Sequence, residues 1–420
     1  MKNKALFLIA LASCLSGEIR VANAATVYAT TNGFGHPPYD SWTNAAPSIQ
    51  AAIDSASDGD KVVVGPGTYR GAGNRDMDFR GKAITVRGDQ GAVNTRLEVG
   101  GSYEEPHRAF RFSHGESHSS VVDGFTVTGG YGPKDMLSND GKSHWYVGGA
   151  IYCIASSPTI LNCEFRNNYA DYGSAIQLWN QSHAEIANCQ FFDNHKERDG
   201  CVVHAYNKCH ASVSNCIFAR NQSCALKVDM FSEVTAFGCL AYANSNDRAA
   251  VYVGNSSLSL INCTISDNQC SSGALSTWFS REAIVRNCIL WNNSSNGSEI
   301  DGTNTVTVYN SCIRGGHPGI SVITNNPLFV AQGRDYRLMP ASPCVNAGTN
   351  QPWMTGAKDL DDRPRIIDGN VDMGAYEYRA VGRSPDIFIK VLIGIGFFVL
   401  ALWVLNKNLR KRKIKRAASL

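Results

Sequence analysis

The chain has 420 residues, 43% of them hydrophobic, with 39 Gly and 14 Cys; this suits one large or two ordinary folded domains and excludes a disordered chain. Its formal charge of +3 does not describe the whole chain. Outside residues 25–386 lie 11 of the 39 basic residues and one of the 36 acids, which leaves 28 minus 35, or −7, for the rest and excludes nucleic acid as an expected partner.

Residues 1–24 read as a signal peptide. Lys2 and Lys4 precede the apolar run ALFLIALA, and VANA ends in a small-residue cleavage site at Ala22 and Ala24. A rival lipoprotein-type cut lies at LASC, before Cys14. Residues 25–47 form a lead-in, and 48–325 contain a repeat.

The repeat is marked by Cys163, Cys189, Cys216, Cys239, Cys263, Cys288 and Cys312, with gaps of 26, 27, 23, 24, 25 and 24. A period near 25 predicts a solenoid. Before each of the first six cysteines stands Asn162, Asn188, Asn215, Gly238, Asn262 or Asn287, residue types that tolerate a left-handed corner. Five residues after each stands Asn168, Asn194, Asn221, Asn244, Asn268 or Asn293, which marks a second corner and a ladder of side-chain amides along the axis. An aliphatic column, Ile151, Ile176, Val203, Leu226, Val251 and Leu275, alternates with polar positions at period two, the pattern of strands buried on one face. No amphipathic helix separates the strands, and the L-x-x-L-x-L framework of a leucine-rich repeat is missing. The expected fold is all-β: a single-stranded right-handed parallel β-helix of about 25 residues per coil. Within it the cysteine column faces the core as thiols; Cys201 and Cys224 fall in one column on successive coils, about 4.8 Å apart, where a disulfide is within reach and two free thiols are the other expectation.

Residues 326–378 read as a closing cap and 379–386 as a linker. The run IFIKVLIGIGFFVLALWVL, 387–405, has one charge, Lys390, and is long enough to span a bilayer as a helix. The basic tail 406–420 places the C-terminus in the cytoplasm, so the β-helix is expected to be exported, membrane-anchored and monomeric. The segment RSPDIF matches neither an LPxTG nor a Pro-Glu-Pro sorting signal, so the anchor is expected to be retained.

Three segments carry a resemblance to a known family. SIQAAIDSASDGDKVVVGPGTY (48–69) resembles a short capping helix followed by a first strand, VVDGFTVTGG (121–130) an early coil, and residues 326–377 a closing segment of the right-handed β-helix proteins of the pectin-lyase-like superfamily, particularly bacterial surface proteins with interchangeable C-terminal anchors. The resemblance implies the fold. It implies no single activity, since that superfamily holds lyases, hydrolases, epimerases, adhesins and proteins of no known chemistry.

On a β-helix, chemistry must use outward columns or loops. One such column is Tyr152, Gln177, His204, Lys227, Tyr252 and Ser276; the next is Ile154, Trp179, Tyr206, Asp229, Gly254 and Trp278. Trp179, Tyr252, Trp278, Gln177 and Tyr152 are the candidate glycan-binding residues, because rings stack on sugar faces while polar groups bond hydroxyls. His204, Lys227, Tyr206 and Asp229 are the candidate catalytic group. The same outward positions suit plain sheet decoration equally well. The expected function is binding of an extracellular polysaccharide; the alternatives are a polysaccharide lyase or hydrolase, a lyase fitting better because paired carboxylates are missing from this face, and a non-catalytic scaffold or adhesin. The insertion 131–147 places His144, Trp145 and Tyr146 near the rim. No cofactor and no metal are expected: no Cys-x-x-Cys pair or His cluster suggests zinc, and the acid-rich DLDDRPRIIDGNVD, with Asp359, Asp361, Asp362, Asp368 and Asp372, lacks a calcium-loop spacing and reads as structural.

Overall fold

A computed structural model describes residues 24–137, 144–198, 200–294, 297–302 and 305–379. The expected leader up to residue 23, the membrane-spanning run and the basic tail lie outside the described residues, among which no helix is long and apolar enough to cross a membrane.

One coil shows how the sequence winds. Ile176–Trp179 runs in a nine-strand sheet. The chain turns at Asn180 and Gln181, with φ of 50° and 63°, into His183–Ala187 of an eleven-strand sheet. It turns again at Asn188, φ 55°, into Gln190–Phe192 of a ten-strand sheet, then at Asp193, φ 54°, toward Cys201–Tyr206, which pairs in parallel with Ile176–Trp179. Each coil therefore has three main strands. The strands of the eleven-strand sheet escape the sequence pattern, since His183–Ala187 carries only Ala184 and Ile186 toward the core between polar residues.

The expected columns stack in register. Ile151, Ile176, Val203, Leu226, Val251 and Leu275 pair coil to coil and are buried. Phe165, Phe191 and Phe218 stack with ring centroids 5.1 and 4.7 Å apart; Ala241 interrupts this column and leaves an apolar core cavity of about 20 Å³. The cysteine column is buried as free thiols. Cys201 and Cys224 form the disulfide, with Cα atoms 4.6 Å apart.

The asparagine columns behave as their chemistry demands. Asn162, Asn188, Asn215, Asn262 and Asn287 are left-handed corners. In the second column each amide Nδ2 donates to the next coil's Oδ1: Asn168 to Asn194 (3.1 Å), Asn194 to Asn221 (2.9 Å), Asn221 to Asn244 (2.8 Å), Asn244 to Asn268 (2.8 Å) and Asn268 to Asn293 (2.7 Å). Asn293 ends the row on the Glu299 carboxylate at 2.7 Å. All six asparagines are buried, so the ladder satisfies groups that water does not reach.

Both ends are closed. The helix Ile49–Ser55, N-capped by Ser48, buries Ile49, Ala52 and Ile53 against the first coils. Thr26–Ala29, inside the lead-in, pairs in parallel with Lys61–Val64 and is the edge strand of the eleven-strand sheet. At the other end, Phe329–Ala331 and Asp335–Leu338 form an antiparallel hairpin, and the chain then returns along the asparagine corner. Asn287 exchanges two hydrogen bonds with Thr349, and Asn262 donates to the Asp372 carbonyl. Gly238 replaces asparagine where this return crosses. A Cβ there would lie 2.6 Å from Arg365 Nη2 and 2.6 Å from Asn215 Oδ1. Arg365 is buried, ion-paired to Glu377 at 3.3 Å. The acid-rich stretch is part of this closure: Asp359 accepts from the Asp361, Arg363 and Glu377 amides, Asp372 from Asn346, and Asp361 binds Arg337.

Candidate functional site

The outer face of the nine-strand sheet carries both predicted columns in the expected register. Tyr152 pairs with Gln177, Gln177 with His204, His204 with Lys227, and Lys227 with Tyr252; Trp179 pairs with Tyr206, Tyr206 with Asp229, Asp229 with Gly254, and Gly254 with Trp278. Period-two alternation places these side chains away from the core.

Facing outward does not leave them open. Tyr152, Gln177, His204, Lys227 and Tyr252 are 1%, 0%, 1%, 5% and 8% exposed, which corrects the reading of that column as an open binding face. A second layer covers it. The hairpin Lys134–Leu137 with His144–Tyr146 brings Trp145 against Tyr172, and Val147, Trp145, Ile154, Tyr172 and Trp179 pack around Tyr152. Tyr172 in turn lies 5.5 Å from the His204 ring, and Lys227 Nζ sits 5.8 Å from Tyr172 and 5.2 Å from Tyr252. Periodicity marks which way a side chain points; what lies over it comes from other coils.

The four candidate catalytic residues do come together. Gln177 Oε1 contacts His204 Nδ1 at 3.0 Å, His204 Nε2 lies 3.4 Å from Asp229 Oδ2, and Lys227 Nζ 3.3 Å from the same oxygen. Burial alone would raise the Asp229 carboxyl, but the His204 hydrogen bond and the Lys227 charge hold it below its ordinary value. Tyr206 stacks on Trp179 with centroids 4.5 Å apart and planes 6° from parallel. The Cys201–Cys224 disulfide lies three residues before His204 and Lys227 on the same two strands, and locks them side by side. In this arrangement Lys227 and Asp229 form an ion pair.

Beyond the covered part, the face opens into a groove of about 710 Å³ where Tyr206, Lys227, Asp229, Arg248, Tyr252 and Trp278 meet. Gly254 is its floor: a Cβ there would come within 2.4 Å of Asp229 Oδ1 and 3.2 Å of the Tyr252 ring. Trp278 stands at the mouth, 62% exposed, with Phe279 at 4.8 Å. The groove therefore gathers five of the nine predicted site residues, Tyr206, Lys227, Asp229, Tyr252 and Trp278. Tyr152, Gln177 and His204 lie beneath the surface, and Trp179 belongs to the covered stack. Arg248 and Asp301 also line the groove and were missed; Arg248 lies in a loop with no periodicity to mark it, and Asp301 in the last, irregular coil.

At the N-terminal end of the same sheet, Asp78, His114 and Glu116 bring three potential metal-ligand atoms within 4.8 Å of one another. Glu116 already accepts from the Gly81 and His114 amides and from Ser156 Oγ, at 2.8–2.9 Å.

Parallel coils, three sheets and an internal asparagine ladder define a β-solenoid architecture. The family model described as a right handed beta helix region matches residues 137–247 and 201–332. Among solved structures, the chain is similar to the pectate lyase Pel9A, at 16% identity and a TM-score of 0.54 over 85% of this chain and 97% of that one. It is also similar to a rhamnogalacturonan lyase, at 10% identity and a TM-score of 0.49 over 83% of this chain and 96% of that one. No curated protein sequence matches it. The protein is a right-handed parallel β-helix of the pectin-lyase-like fold.

Proposed function

We propose that the protein binds an extracellular polysaccharide along the open end of the nine-strand sheet, as an exported, membrane-anchored monomer. The observation that carries this reading is the groove itself, which sets an exposed tryptophan beside paired charges and hydroxyls over a glycine floor. Sugar rings stack on Trp278 over a base formed by Tyr252, and hydroxyls meet Asp229, Arg248 and Asp301. Tyr152, Gln177 and Trp179 then act from beneath or beside the groove as its support. Glycan-array binding by the purified full chain tests the reading: Trp278→Ala is expected to weaken retention by about 1–3 kcal/mol, as for stacking on aromatic platforms, with unfolding unchanged. Retention that is equal in wild type and Trp278→Ala would retire the groove in favour of a scaffold or adhesin.

A lyase is the second reading, favoured by two cations, Lys227 and Arg248, in the groove and by the likeness to a pectate lyase. On this reading substrate binding releases Lys227 from Asp229 and its ammonium gives up a proton to solvent; the neutral amine then removes the proton alpha to a uronate carboxylate that Arg248 neutralises, the neighbouring C–O bond breaks, and the departing oxygen takes a proton from water. Appearance of an unsaturated product from an acidic glycan, lost in Lys227→Ala with binding retained, is the outcome it requires.

A further inference from the structure

The sequence contains no histidine-rich run, but the coil register assembles one on a different sheet. His183 pairs directly with His210, and His210 with Glu233, on three successive strands of the eleven-strand sheet. The two imidazoles lie 4.7 Å apart between centroids, and His210 Nδ1 is 3.7 Å from Glu233 Oε2. His118 and Glu185 line the same shallow concavity of about 530 Å³. His118, His183 and His210 are 65 and 27 residues apart in the chain, so no spacing motif announces them.

We propose that this concavity is a binding site for a divalent first-row transition ion, held by His183, His210 and Glu233, with His118 and Glu185 at its rim. Two imidazole nitrogens and a carboxylate oxygen are the donor set of open zinc sites and suit zinc, copper or nickel far better than magnesium or calcium. The side chains of His210 and Glu233 are 53% and 63% exposed, free to turn the donor atoms from their stacked positions onto one ion. The alternative trio of Asp78, His114 and Glu116 is poorer in nitrogen, and Glu116 is committed to three donors of the fold. The site stands on a different sheet from the glycan groove and does not depend on that reading.

Zinc titration of the full chain, prepared without a polyhistidine tag and followed by calorimetry or chelator competition, tests it. The expected result is one zinc ion per chain, with affinity reduced at least about tenfold in His183→Ala and in His210→Ala, a loss seen even for outer-shell partners of metal sites. Glu233→Gln is expected to weaken binding, and His114→Ala to leave it unchanged. Because the substituted side chains are exposed, unfolding midpoints should match wild type, which separates lost binding from lost fold. Absence of zinc binding, binding that survives in the His183→Ala, His210→Ala double variant, or loss confined to His114→Ala would each overturn the proposal.

Discussion

At the corner between the eleven-strand and ten-strand sheets, Asn162, Asn188, Asn215, Asn262 and Asn287 take φ between 49° and 55°. At the corner that leaves the nine-strand sheet, Asn180, Asn207 and Asn255 take the same left-handed conformation, but in that column Met230 and Phe279 stand at φ 53° and 48°, and Phe231 follows at 64°. Left-handed backbone costs an ordinary L-residue about 1–2 kcal/mol, which asparagine partly escapes. The first corner is therefore chosen for the backbone, and the second, in places, against it. Met230, Phe231 and Phe279 are 36%, 40% and 70% exposed, and Met230 lines the groove while Phe279 packs on Trp278, so the strain is spent where the groove meets solvent. Such outliers gather at functional surfaces because the surrounding fold over-determines them.

The sharpest test of the contrast lies on the ladder side. Asn221→Val removes a donor and an acceptor at once: the Asn194 backbone N–H and Nδ2 lose the Asn221 oxygen, the Phe191 carbonyl loses the Asn221 Nδ2, and Asn244 Oδ1 keeps only the residue-221 backbone N–H. Each buried group left unpaired costs about 1–3 kcal/mol, so a loss of about 3–4 kcal/mol in urea unfolding is expected, larger than for any change on the groove face.

A second test is the pH response of the closing segment that lies along the first corner. Burial and the neighbouring Asp372 raise the Glu377 carboxyl from 4.5 to about 8 despite Arg365. A raised carboxyl binds its proton more tightly folded than unfolded, so stability is full below pH 4.5 and falls as pH rises toward 8. Unfolding followed across that window should show this slope, and Glu377→Gln should flatten it.

Gly238→Asn restores the majority residue of its column and is nonetheless expected to destabilise by about 2 kcal/mol, since its Cβ would meet the Arg365 guanidinium and Asn215. Thermal unfolding decides it; a neutral outcome would mean that the closing segment yields. The smallest effect runs the other way. Phe279→Asn gives the second corner the residue of the first and is expected to stabilise by about 1 kcal/mol in the same assay. A loss of stability there would show that the ring holds the coil together and would dissolve the contrast between the corners.

The legible part of this molecule was what repeats. Asn and Cys recurring at one period identified coil, corner and ladder, because each is fixed by backbone geometry common to every turn. Register followed from the same alignment, which is why His204 beside Lys227 and Cys201 beside Cys224 were readable before any coordinates. Burial was not. Tyr172 and Trp145 reach the outer column from a neighbouring coil and an inserted hairpin, and no local period encodes that overlay. Arg248 and the His118, His183, His210 group were hidden for a related reason: they meet only across coils, in positions where each residue alone looks like ordinary surface.

The amide ladder has a direction. Each Nδ2 gives one hydrogen bond back to a carbonyl of the preceding coil, but every amide-to-amide bond runs toward the C-terminal end, from Asn168 onward, and the row stops on the Glu299 carboxylate as acceptor. A coil bearing one such asparagine can thus be inserted or deleted as a unit, each newcomer accepting from the coil before and donating to the coil after, while Glu299 alone must keep its place. Chain length in this protein behaves as a count of interchangeable modules ahead of a fixed terminator, and lineages that differ in the number of coils should differ upstream of that glutamate rather than at it.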